Sequence, residues 1–179
     1  MEVTVTKTLS KLYKANYNKT NYEIQTDIER WTMLTLDFSS RIEIVRMNVL
    51  PRLLYLFQSL TVEVPQSQIM RWNRMISRFL WGGKRPRIKM KTLQLPMDEG
   101  GMGHPHLKDY FYAAQVRYIV DWCKPNYTAK WKKIEAKCGE YPIQSIIGDK
   151  EKYKKLKNKI DPIATFALKT WFRMIKTQD

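Results

Sequence analysis

The chain has 179 residues, 44% of them hydrophobic, which is enough to bury a core in one domain or in one domain with an appended lobe. Its 32 Lys and Arg stand against 17 Asp and Glu, a formal charge of +15, which exceeds what solubility asks for and points to a polyanionic partner, nucleic acid being the commonest. No run of about 18 apolar residues exists and the opening MEVTVTKTLSKLYK lacks a charged-then-apolar signal pattern, so a membrane span and export are not expected and an intracellular place, nucleus or cytoplasm, is.

Residues 1–20 read as a polar lead. Thr20-Asn21-Tyr22-Glu23 then has the S/T-x-x-E form of a capping box, with Ile24, Ile28 and Trp31 following at helical spacing. This predicts a helix from about residue 21 to 34. The series Ile42, Val45, Val49, Leu53, Phe57 and Leu60 continues in steps of three and four and predicts the longest helix. Pro51 removes one backbone donor and crowds the preceding turn, so a kink or break is expected near Met47. After Pro65 a third helix, from about Gln66 to Trp81, has two unlike faces. Ile69, Trp72, Ile76, Phe79 and Leu80 fall in one sector, and Arg71, Arg74 and Arg78 lie nearly opposite.

The strip from 82 to 97 is too rich in Gly, Pro and Lys for a long regular element, and it runs into MDEGGMGHPH, a turn-forming segment. Leu107, Phe111, Ala114 and Tyr118 are spaced for one face of another helix, closed by Pro125. Trp131 and Ile134 suit a short amphipathic helix, GDKEKYKKLKNKID is lysine-rich, and Asp161-Pro162 opens a final helix. No strand-like alternation competes and no repeat is present. The expected fold is mainly α, with a helical domain over 21–124 and a smaller basic helical extension over 125–179.

The strongest chemical signal is electrostatic. Between Glu63 and Asp98 there is no acidic residue, while Arg71, Arg74, Arg78, Lys84, Arg85, Arg87, Lys89 and Lys91 supply positive charge. Guanidinium forks suit phosphate oxygens, and aromatic residues among them can stack on bases or riboses. Trp72 and Phe79 lie on the apolar face and read as core, while Trp81 near the helix end joins the candidate nucleic-acid-binding set. His104 and His106 have no zinc spacing with Cys123 or Cys138, so no metal site is expected, and both cysteines read as half-buried free thiols. GGMG lacks the Gly-Lys-Ser/Thr ending of a phosphate loop and reads as a turn. Scattered carboxylates form no D-x-D or Asp-Asp pair, so neither an enzyme centre nor a cofactor is expected.

The order of motifs resembles non-LTR retrotransposon reverse transcriptases, of the long interspersed element type, just downstream of their catalytic palm. The motifs are Arg41-Ile42, Arg46-Met47, Leu50-Pro51-Arg52, Phe79-Leu80-Trp81, Arg85-Pro86-Arg87-Ile88, Gly100-Gly101-Met102-Gly103-His104-Pro105 and the segment Tyr110 to Tyr118. The similarity reaches back through NYEIQTDIERW and forward through Trp131-x-x-Ile134-Glu135 and DPIATFALKTW. Ser40 departs from the usual glycine and His106 from a common asparagine. The resemblance implies a helical, thumb-like bundle with a basic loop and linker that grips an RNA duplex or RNA/DNA hybrid through its phosphates. The family's Tyr/Phe-x-Asp-Asp has no counterpart in this chain, which implies a non-catalytic fragment or descendant, with a polymerase palm or other protein as a partner in trans. A basic helical protein–protein interaction module is the alternative, since a thumb without its polymerase leaves helix faces bare.

Overall fold

A computed structural model describes residues 2–126, 128–133, 141, 143–160 and 162–175. All regular structure among the described residues is helical, as the mainly α expectation holds. The chain divides into two compact units, one ending at Tyr110 and the other beginning at Phe111. This division falls earlier than the expected boundary after residue 124, because Ile119 and Trp122 belong to the second core.

In the first unit, helix α1 spans Leu9–Thr32 and is the longest α-helix described. That corrects three expectations: a polar lead over 1–20, a helix start at 21, and the longest helix downstream. The cause is the aromatic content of the supposed lead. Tyr17 is fully buried, stacks on Tyr13 at 4.8 Å between ring centroids and lies 6.0 Å from Trp72. Asn16, also buried, holds the extended N-terminal segment through Thr4, whose N–H it accepts at 2.8 Å and whose carbonyl it donates to at 2.9 Å. Thr20, which imitates a helix cap, instead donates its hydroxyl to the Asn16 carbonyl at 3.3 Å, one turn back inside the helix.

The second apolar series forms α2 (Phe38–Ile44), a π turn (Val45–Val49) and α3 (Leu50–Ser59). The break expected near Met47 is this π turn. The Leu50 N–H donates to the Val45 carbonyl, five residues back, and the wide turn precedes Pro51, whose ring crowds the chain before it. All six predicted residues from Ile42 to Leu60 are buried. Ser40 is an ordinary helical residue whose N–H donates to the capping Asp37 carboxylate at 2.8 Å. No non-glycine residue among those described has positive φ, so nothing here demands the glycine usual at that place.

Helix α4 (Gln66–Leu80) buries the predicted face, with Ile69, Trp72, Ile76, Phe79 and Leu80 all in the core. It packs on α1, and Asn21 of α1 accepts from the Trp72 indole at 2.7 Å and from the Gln68 amide at 3.3 Å. Asp27 of α1 is tied to Arg52 of α3 by an ion pair of 2.7 Å.

After α4 the chain forms a short helix α5 (Met90–Gln94) and a single 3-10 turn (Met97–Glu99), so the strip after 82 indeed lacks a long element. The GGMG segment folds back on α5, with the Met102 and His104 N–H groups both donating to the Leu93 carbonyl, at 3.2 and 2.9 Å. Gly101 is buried there, and a Cβ on it would land on the backbone carbonyl oxygen of Leu95. Gly101→Ala is expected to lower the stability of this unit by about 2–3 kcal/mol, because the obstacle is backbone and not a side chain that can swing aside. A thermal melt within experimental error of the parent would refute this.

His104 is 3% exposed and neither of its ring nitrogens has a hydrogen-bond partner among the described residues. Burial, with His106 adding to it, pushes its imidazole down to about 4 from an ordinary 6.5. The unfolded chain therefore binds a proton at pH values where the folded chain does not, so stability falls as pH drops from about 6.5 toward 4. The expected loss from this residue between pH 7 and pH 5 is about 2 kcal/mol. Urea midpoints of the parent and of His104→Gln at the two pH values check it: the parent should lose distinctly more than the variant, and equal losses would count against it.

The second unit contains helix α6 (Leu107–Cys123) beyond its first turn, a 3-10 turn (Ile143–Ser145), α7 (Lys150–Leu156) and α8 (Pro162–Ile175). Its core joins Ile119 and Trp122 to Ile143, Ile146, Leu168 and Phe172. The Lys132 ammonium donates to the carbonyls of Asp121, Trp122 and Lys124 at 3.1–3.2 Å, placing a cation at the end of α6, where the last carbonyls of a helix have no donor within the helix itself. The Trp171 indole donates to the Ile147 carbonyl at 3.1 Å and the Tyr153 hydroxyl to the Thr165 carbonyl at 3.2 Å. Cys123 is a free thiol but exposed, not half-buried as expected; it is the last residue of α6, one turn beyond the buried Ile119. Ile134, Cys138 and Asp161 lie outside the described residues. Among those described, no helix is long and apolar enough to cross a membrane, and no group of His, Cys, Asp and Glu is arranged to hold a metal ion.

Candidate functional site

Helices α1 and α4 leave between them an open cleft of about 620 Å³ within the first unit. Its α4 wall carries Arg71, Arg74 and Arg78, which a helix brings onto one side because i, i+3 and i+7 nearly superpose. All three are exposed, and none forms an ion pair among the described residues. Arg71 is also close enough to Tyr13 to oppose, by its charge, the burial that pushes that phenol up. The floor is apolar, with Ile28 and Phe79 buried and Met75 half-buried. Gly82 and Gly83 close one end.

That end is built by a defined helix stop. The Gly83 N–H donates to the Arg78 carbonyl at 2.9 Å and the Gly82 N–H to the Phe79 carbonyl at 3.1 Å, the paired bonds of a Schellman motif. Gly82 and Gly83 have φ of 56° and 77°, a region costly for any residue with a Cβ. Arg41 of α2 reinforces the stop: its guanidinium donates to the Phe79 carbonyl at 2.6 Å and to the Leu36 carbonyl at 3.2 Å, and lies over the Phe79 ring at 5.5 Å.

Beyond Gly83 the chain carries Lys84, Arg85, Arg87, Lys89 and Lys91, all exposed. Lys89 stands at the start of α5 and Lys91 in its first turn. These five do not line the cleft; they follow directly from the glycines that close it. Trp81 is half-buried with its ring 4.9 Å from that of Phe38, so much of its surface is spent on packing within the protein. Trp72 and Phe79 are core residues, as read from the sequence.

The opposite wall of the cleft was not foreseen. It consists of Gln25, Glu29 and Thr32 of α1, with Met33 just past its end. The only available sequence signal was that Gln25, Glu29 and Thr32 share a helix face adjacent to Ile28, which does not reveal what that face meets. The Gln25 amide donates to the Glu29 carboxylate at 3.0 Å, and the Thr32 hydroxyl donates to the Ile28 carbonyl at 2.7 Å. The cleft therefore sets a cationic wall against a wall of oxygen acceptors, with apolar surface between. No model of a known protein family matches the chain.

Proposed function

We propose that the chain is a non-catalytic nucleic-acid-binding module that grips an RNA/DNA duplex through its phosphates, like the thumb of the non-LTR retrotransposon reverse transcriptases that its sequence resembles. The observation that carries this reading is the exposed row Arg71, Arg74 and Arg78, without an ion pair among the described residues, which leads through Gly82 and Gly83 into an exposed basic strip without acidic residues. Such a row suits a phosphate backbone, and an A-form duplex offers phosphates and 2′-hydroxyls where its major groove is too narrow to read. Copying would require carboxylates that hold two metal ions, so a palm or other protein in trans would supply any synthesis.

Fluorescence anisotropy with a labelled RNA/DNA hybrid at low and moderate salt tests the proposal. Binding should be strong at low salt, fall steeply with added salt and vary little with duplex sequence. The exposure of Met47 and Tyr22, each 73%, favours the second reading, a protein-binding module. Absence of salt-sensitive hybrid binding would reject the first reading in its favour.

A further inference from the structure

We propose that the cleft between α1 and α4 is a site for one unpaired guanine nucleotide of a single-stranded extension beside the gripped duplex. This rests on the phosphate-gripping reading and adds to it a base-specific pocket. A groove made only for phosphates would have no use for Glu29, whose negative charge faces the same space as three arginines. A nucleotide makes sense of both walls, because it carries an anion at one end and a hydrogen-bonding base edge at the other.

The chemistry of the α1 wall selects the base. Glu29 can only accept hydrogen bonds, and its Oε1 is held by the Gln25 amide at 3.0 Å, which leaves Oε2 and the Gln25 carbonyl oxygen as acceptors. Thr32 has its hydroxyl proton committed to the Ile28 carbonyl at 2.7 Å and so also presents lone pairs. The edge that enters must be rich in donors. Guanine offers N1–H and N2–H₂ side by side, which a carboxylate can accept in parallel. Adenine and cytosine each offer one amino group beside an acceptor nitrogen, and uracil and thymine one N–H between two carbonyls. Met75 and Phe79 supply apolar surface for the base face, and the volume of about 620 Å³ accommodates a nucleotide. The strand continues along Lys84 and Arg85, where a free mononucleotide would have nothing to bind them.

The test compares the parent protein and Glu29→Gln on one short RNA/DNA hybrid, either blunt or carrying a single-stranded overhang of G, A, C or U. The parent should bind the G overhang about tenfold more tightly than the A overhang, the scale of one bidentate base contact. Glu29→Gln should remove that preference and bind the blunt hybrid at least as well as the parent does. Glu29 is exposed and its polar partner among the described residues is Gln25 of the same helix, so the variant is expected to remain folded. Blunt binding with no preference among overhangs would overturn the guanine site and leave the phosphate reading intact. A G preference that survives Glu29→Gln would overturn the assignment to this cleft. Guanosine monophosphate alone binding as tightly as the G-overhang hybrid would overturn the strand-borne ligand. No salt-sensitive binding of any hybrid would reject the phosphate reading, and the guanine site with it.

Discussion

Replacing Trp72 by alanine is expected to cost the first unit about 3–5 kcal/mol, the range for deleting a large buried aromatic side chain. Trp72 is 1% exposed and lies 6.0 Å, centroid to centroid, from both Tyr17 and Phe57, so it joins α1, α3 and α4 at one point. Its loss would leave a cavity that three rigid helices cannot readily close. It would also deprive the Asn21 carbonyl oxygen of a 2.7 Å donor, leaving the Gln68 amide at 3.3 Å. Urea unfolding followed by the remaining tryptophan fluorescence and by circular dichroism would measure the change. A variant as stable as the parent that binds nucleic acid poorly would mean that the indole is a stacking platform.

Changing Arg71, Arg74 and Arg78 together to glutamine is expected to reduce the slope of log affinity against log salt by about 3, close to 0.9 for each phosphate contact. The loss should be nearly equal for every duplex sequence, because phosphates carry no sequence information. Stability should change little, since all three side chains are exposed and lie opposite the buried face of α4. The lysines between 150 and 159 serve as the control. They are similarly dense in charge, but Lys154 is held by Glu151 at 2.6 Å and Asp149 caps their helix, so local acids already offset them. A larger change of slope on neutralising those lysines would place the interface on the second unit.

What the sequence made legible followed from periodicity. Ile42 through Leu60 and Ile69 through Leu80 each repeat at three and four residues, and every member of both series is buried. Pro51 located the irregular turn, because a missing N–H acts within one turn of itself. The start of α1 was illegible because Thr20 and Glu23 have the composition of a cap, while the features that override it, the burial of Tyr17 and the bonds of Asn16 to Thr4, depend on tertiary contacts. The candidate site divided along the same line. Its arginines were readable from one helix, but Gln25 and Glu29 join them only through the register of α1 on α4, which no local pattern encodes.

Arg41 has a consequence for the field around the proposed interface. Aligned peptide dipoles place roughly half a negative charge at the C-terminal end of a helix. In α4 that end lies between Arg78 and Lys84, where it would repel a phosphate chain passing from one to the other. The Arg41 guanidinium sits on the Phe79 carbonyl at 2.6 Å, at that negative pole. It offsets the pole without having to touch a ligand, so the positive potential set up by the arginine row can continue past the helix end into the basic strip.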